Sequence, residues 1–357
     1  MRTLTFLSLA LVAGCSDNNL VFDQNNEGPA KPAIISGRVC SPNGRTWLAD
    51  AMAYANIYDD TGKIIDVRKA YSDRDGRWTL SDLKPDREYT VYVQYGQDVL
   101  SSETVYLNAG EQVSLPEPDC FDPTSLNILV VSGNYDNTEV LLQNMGFTNF
   151  SLLDGLDESL MVGFFSDPAN LAQYDVIFIN GGCLERGIFW DTNPANPTPS
   201  LVSTNLKDYV YNGGSIFATD WAYDVIEASW PDALDFVGDD RMHDAAQVGE
   251  YDTINAQVTD EALSAYIGDT TTDIDYDLPV WPPMNSVEPY VSIHLTGSVH
   301  YREGEATYTL ASVPLLVSFS GGNGRVAFST FRVAANQTED MTYVVQYVFH
   351  ELAGVGN

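Results

Sequence analysis

Positive charge is what this chain has least of. Its 357 residues carry 17 lysines and arginines, five of them lysine, against 50 aspartates and glutamates, a formal charge of −33. No basic footprint is left to neutralise phosphate, which excludes nucleic acid as a partner. Cysteine and histidine are scarce too, four of each. They form no Cys-x-x-Cys pair and no His/Cys spacing of a zinc module, so their spacing predicts neither a metal site nor a cofactor. Long hydrophobic runs are missing as well. The apolar stretch from Leu4 to Val12 is too short to span a bilayer as a mature helix.

What is present begins with an address. Met1-Arg2 followed by that short apolar run reads as a secretory signal. The run ends Leu11-Val12-Ala13-Gly14-Cys15, which resembles the bacterial lipobox, against the alternative of an ordinary signal with a chance cysteine. The resemblance makes residues 1–14 a signal peptide and Cys15 the lipidated first residue of a membrane-anchored protein. Ser16 follows where a retention signal would have Asp, so by enterobacterial sorting rules the expected location is the outer membrane of a Gram-negative cell envelope. Residues 15–32 are polar, with Asn, Gln, Gly and Pro, and read as a flexible tether.

With Cys15 assigned to lipid, Cys40, Cys120 and Cys183 remain in an oxidising compartment. That leaves at most one internal bridge and one odd thiol, and Cys40 with Cys120 is the expected pair. The excess of carboxylates has two readings: divalent-cation binding, or a solvated, self-repelling surface. The same choice applies to Asp269, Asp273, Asp275 and Asp277, which alternate without a fixed calcium-loop pattern.

Residues 33–120 alternate apolar and polar at period two between turn signals, the pattern of a small antiparallel β-sandwich. Ile35–Val39, Leu48–Ala55, Ser72–Leu80 and Leu83–Val93 together resemble the carboxypeptidase regulatory-like domain, a prealbumin-type sandwich that is a non-catalytic accessory unit in its family. Asp73, Asp75 and Gly76 form a tight turn in this reading, since no EF-hand continuation follows.

From residue 124 to 355 the pattern changes. Leu126–Val131, Phe150–Leu153, Tyr174–Gly182, Gly214–Ala218 and Gly324–Phe331 are strand-like, and helical spacing separates several of them. Strands alternating with helices predict an α/β, doubly wound, mostly parallel sheet of flavodoxin-like type. Residues from about 230 to 314 blur the pattern and read as an acidic insertion packed over the strand ends. Ligands in such sheets sit beyond the carboxyl ends of the strands, which points to Thr219, Asp220 and Trp221.

Tyr174–Gly182 resembles the strand and double glycine of class I glutamine amidotransferase-like folds, whose backbone N–H groups help to form an oxyanion hole. Leu206–Ala222 resembles the segment leading to that family's nucleophile elbow, and Gly324–Phe331 the strand before its histidine. On this alignment Asp220 stands in place of the cysteine, Ala222 in place of the elbow glycine, and Arg332 in place of the histidine. Acyl transfer of this type needs a thiolate, an imidazole and an orienting carboxylate, so no catalytic residue is assigned. The candidate binding cleft is Gly181, Gly182, Cys183, Thr219, Asp220, Trp221 and Arg332, with Asp220 and Arg332 expected to form a structural ion pair or to hold a polar ligand. Trp221 and Tyr223 are either core aromatics or a sugar platform.

The functional expectation is a non-catalytic surface lipoprotein binding a polar small molecule or an envelope protein. The alternatives are an envelope hydrolase using the cleft around Asp220 and Cys183, or carbohydrate binding.

Overall fold

The structure is a computed structural model that describes residues 31–40, 47–48, 51–59, 61–95, 98–115, 119–120, 126–238, 243–336 and 338–352. The expected signal peptide, Cys15 and most of the tether lie outside the described residues. The protein is a multi-sheet α/β molecule in which, among the described residues, strands predominate over seven helices.

The first strands are β1 (Ala33–Cys40), β2 (Met52–Tyr58), β3 (Ile64–Tyr71), β4 (Arg77–Leu83), β5 (Arg87–Tyr95), β6 (Asp98–Leu107), β7 (Gln112–Ser114) and β8 (Asp119–Cys120). They form two sheets: β4-β1-β7 with β8 also paired to β1, and β3-β2-β5-β6. Strict alternation sends Ala53, Ala55 and Ile57 of β2 and Tyr89, Val91, Val93 and Tyr95 of β5 to one face, where they join Ile35, Trp78 and Leu80 of the other sheet in one apolar cluster. Asp73 closes the β3–β4 turn, its carboxylate accepting from the Asp75 and Arg77 N–H groups at 2.9 Å each. A disulfide joins Cys40 and Cys120 with the Cα atoms 4.3 Å apart. Closing a loop of this size contributes roughly 2–5 kcal/mol.

The rest of the chain runs β9 (Ile128–Val131), α1 (Thr138–Asn144), β10 (Phe150–Leu153), α2 (Glu158–Phe165), α3 (Pro168–Leu171), β11 (Val176–Ile179), α4 (Thr198–Tyr211), β12 (Ser215–Thr219) and α5 (Tyr223–Ser229). It continues with β13 (Leu234–Phe236), β14 (Val248–Gly249), β15 (Asp252–Val258), α6 (Glu261–Ile267), β16 (Thr271–Tyr276), β17 (Met284–Val287), β18 (Ser292–Glu303), β19 (Ala306–Gly321), β20 (Gly324–Ser329) and α7 (Glu339–Leu352).

Nine of these strands lie side by side in the order β10-β9-β11-β12-β20-β19-β18-β15-β16, with β14 also paired to β18. From β10 to β20 the pairing is parallel; β9, β11 and β12 are buried on both faces, whereas the edge strand β10 leaves Ser151 and Leu152 exposed. Period two divides each strand between two cores. Ile128, Val130, Val176, Phe178, Phe217 and Ala327 face the cluster that includes Val344, Val348 and Phe349 of α7. Leu129, Val131, Ile177, Ile179, Ile216, Ala218, Val326 and Phe328 face Val202, Leu206 and Val210 of α4.

Two expectations need correction. The sheet is not mostly parallel: beyond β20 every pairing is antiparallel. Nor does the 230–314 segment pack mainly over the strand ends. Its strands β15, β16 and β18 extend the sheet sideways, while the stretch after β16 and the 243–246 loop lie at the end of β12 and the start of α5. The long β18–β19 hairpin is buried in its Val313–Phe319 part and exposed toward its tip, so no single periodicity marks it. Among the described residues no helix is long and apolar enough to cross a membrane.

Candidate functional site

β12 is central in the parallel half, and the chain leaves it through a tight turn. Asp220 takes φ +51°, a left-handed conformation rarely adopted by a residue with a side chain. Its N–H donates to the Ser329 carbonyl at 2.8 Å, the Ala222 N–H donates to the Thr219 carbonyl at 3.1 Å, and α5 begins at Tyr223. A strand that turns sharply into a helix through one strained residue is the backbone of a nucleophile elbow. Here that residue is an aspartate.

The double-glycine turn after β11 presses against this elbow. A Cβ on Gly181 would lie 2.8 Å from Asp220 Cβ and 2.9 Å from the Trp221 nitrogen, so only glycine allows the approach. Gly181 N–H already donates to Thr219 Oγ1 at 3.3 Å, which removes it from any oxyanion hole. Its carbonyl and that of Gly182 accept from the Tyr135 and Asn134 N–H groups.

Asp220 is wholly buried, and neither carboxylate oxygen has a hydrogen-bond partner among the described residues. Burial, reinforced by the charge of Asp136, pushes its pKa well above the usual carboxylate range, and Arg332 only partly opposes the shift. The expected Asp220–Arg332 ion pair is not a contact. Arg332 Nη1 instead reaches Asp277 Oδ2 at 3.3 Å, because the stretch after β16 brings a more exposed carboxylate within its reach. Tyr276 and Trp281, stacked with ring centroids 4.0 Å apart, line the space beside Asp220 together with Phe331 and Arg332. The room left there for a water-sized sphere is about 10 Å³, close to what one water needs.

Asp136 was not singled out from the sequence. Its carboxylate accepts from the Val333 and Ala334 N–H groups at 2.9 Å each, tying the chain after β20 to the loop after β9. Partners separated by 197 and 198 residues leave no local signal.

Cys183 is free and buried, and its thiol is pushed well above its usual pKa by burial first and by the charge of Glu185 second. A nucleophilic cysteine needs the opposite, a positive or polar setting that favours the thiolate. Trp221 meets Tyr223 edge to face at 5.4 Å, and Tyr223 meets Phe236 at 5.0 Å, in the cluster on the α4 face. Tyr223 is therefore a core aromatic. The four insertion aspartates do not converge. Asp269 accepts from the Thr270 and Thr271 N–H groups, Asp273 from Asn255, Asp275 from Thr253, and Asp277 pairs with Arg332.

A second group of residues does converge. Asp224 and Glu227 lie three apart on α5, both buried, and His243 Nδ1 stands 3.5 Å from Asp224 Oδ1 and 3.9 Å from Glu227 Oε2. Glu185, two residues beyond Cys183, is buried beside them with Oε1 unpartnered. Asp-x-x-Glu at the start of a helix was the only local sign of this cluster, since the other members come from distant loops.

No family model and no curated protein matches the chain. Solved structures similar to it include a cytoplasmic protein of Salmonella typhimurium, 15% identical, covering 63% of this chain and 98% of that one at a TM-score of 0.38. PurLQS from Thermotoga maritima is 12% identical, with coverage of 64% and 99% and a TM-score of 0.35. A putative ThuA-like protein from Parabacteroides merdae is 15% identical, with coverage of 65% and 91% and a TM-score of 0.37. Likeness at this level speaks to neither activity nor ligand.

Proposed function

We propose that this chain is a lipid-anchored protein of the bacterial cell envelope, sorted to the outer membrane. In it an accessory β-sandwich carries an amidotransferase-like α/β unit that binds a polar small molecule or an envelope protein without acyl transfer. The observation that carries the non-hydrolytic half is Asp220 at the elbow, buried, unpartnered and held toward its neutral form. A neutral carboxyl is a poor nucleophile, and attack by its anion on an amide would have to pass through a strained anhydride. Among the described residues no imidazole is hydrogen-bonded to Asp220 to take a proton, and His294 and His300 are engaged with Asp260 and Asp252.

The anchored half rests on the Leu11–Cys15 motif. Cys15→Ala is expected to release the protein to the soluble envelope fraction, or to leave an uncleaved precursor without lipid. Fractionation with mass analysis of the N-terminus checks it. An unmodified mature N-terminus that does not begin at Cys15 would contradict the anchor.

A further inference from the structure

We propose that Glu185, Asp224, Glu227 and His243 bind one divalent transition-metal ion of the zinc or manganese class, beyond the carboxyl ends of β11 and β12. This site is separate from the elbow cleft and does not depend on how that cleft is used.

Asp224, Glu227 and His243 each present a ligand atom, and all three atoms lie within 4.8 Å of one another. Two ligands about 2.1 Å from a tetrahedral ion are about 3.4 Å apart. The His243–Asp224 separation of 3.5 Å is close to that edge, and the His243–Glu227 separation of 3.9 Å exceeds it only slightly. Both are longer than ordinary hydrogen bonds. The mismatch falls on the most exposed of the three, since the His243 side chain is 37% exposed and those of Asp224 and Glu227 are 0% and 7% exposed on α5.

Glu185 is the independent observation. It is 8% exposed, and its Oε1 is buried with no hydrogen-bond partner. The charges that bear on it are Asp224, Asp244 and Glu227, all negative. A buried carboxylate oxygen left unpaired among other carboxylates is unfavourable unless a cation or a proton meets it. Asp224, Glu227 and His243 supply three donors to such a cation, and the unpaired Glu185 oxygen is the fourth that we assign.

The surroundings fit a ligand set held in place. The Asp244 N–H donates to both oxygens of Asp224, at 3.2 and 2.9 Å, which fixes that carboxylate's orientation. Tyr223 Oη accepts from the Ala246 N–H at 3.1 Å, tying the His243 loop to α5. Trp190 stacks on the imidazole, with centroids 6.0 Å apart and planes 22° apart. Outer contacts of this kind set ring orientation in metal sites. One nitrogen with several carboxylate oxygens suits Zn²⁺ or Mn²⁺ better than thiolate-seeking ions. The exposed edge of His243 gives the ion a path from solvent.

The test uses the full chain, stripped with chelator and titrated separately with Zn²⁺ and Mn²⁺ by calorimetry. The expected result is one saturable equivalent of at least one ion, bound more than about 10-fold more weakly by His243→Ala and by Glu185→Gln. His243→Ala alters an exposed loop residue and is expected to keep the parent's melting profile without metal. Asp273→Asn, on the remote face of β16, should titrate like the parent. Absence of saturable binding of both ions by the parent would overturn the site. So would parent-like affinity in His243→Ala, which would place the ion on surface carboxylates, and parent-like affinity in Glu185→Gln would remove Glu185 from the ligand set proposed.

Discussion

Asp220→Asn loses less stability than the parent as pH rises from 5 to 8, and the gap between the two widens by up to about 1.4 kcal/mol per pH unit. The sign follows from the raised pKa of the folded-state carboxyl, caused by burial and then by Asp136. Below the ordinary value of 3.8 both the folded and unfolded chains hold the proton, and Asp220 contributes no pH dependence. Above it the unfolded chain releases the proton while the folded chain keeps it, so rising pH favours unfolding until the folded pKa is passed. Asparagine carries no such proton and, among residues with side chains, is one of those that best tolerate a left-handed φ. Urea denaturation at several pH values measures the gap. Parallel stability curves for the two proteins would mean that Asp220 is ionised and stabilised in the fold by partners the geometry does not contain.

Trp281→Ala is expected to cost about 3–5 kcal/mol, the usual loss for a buried large aromatic. Trp281 is 2% exposed, stacks on Tyr276, and donates from Nε1 to the Glu250 carbonyl at 2.9 Å. Its ring lies so close to Gly249 that no other residue fits there. Removing it also opens the space beside Asp220 to water, which lowers the desolvation that raises that carboxyl's pKa. The variant should therefore be less stable than the parent and show a shallower pH dependence, both read from the same denaturation series. A loss below about 1 kcal/mol would place Trp281 outside the core.

Much of the fold was legible where burial is uniform. Ile128–Val131, Val176–Ile179 and Ile216-Phe217-Ala218 are continuous apolar runs because helices cover both faces. The last helix was equally clear: Met341, Val344, Val345, Val348, Phe349 and Leu352 are all buried, and Thr338 Oγ1 accepts from the Met341 N–H at 3.2 Å. The antiparallel half was not legible, because strands such as β19 change from exposed to buried along their length. Edge strand β3 was also missed; Ile64, Ile65 and Val67 are all exposed, so burial imposes no alternation on it.

At the site, local patterns located the Gly181-Gly182 turn and the Asp220 elbow, which adjoin in sequence the strands that carry them. They did not reveal that Arg332 turns to Asp277, nor that Asp224, Glu227 and His243 meet. Those contacts join loops far apart in the chain, and loop length does not specify where a side chain ends.

The central claim is that the elbow and its neighbouring thiol have no acyl-transfer chemistry, and thiol alkylation coupled to a turnover assay tests it most directly. Folded full-length protein is treated with iodoacetamide at neutral pH, and hydrolysis is followed across a panel of amides and esters before and after. The account predicts no turnover that depends on Cys183, and alkylation of Cys183 only after denaturant exposes it, because burial and Glu185 suppress the thiolate. Rapid alkylation of Cys183 in the folded chain, abolishing a hydrolysis that Cys183→Ser also lacks, would contradict the account and put an active nucleophile on the double-glycine turn.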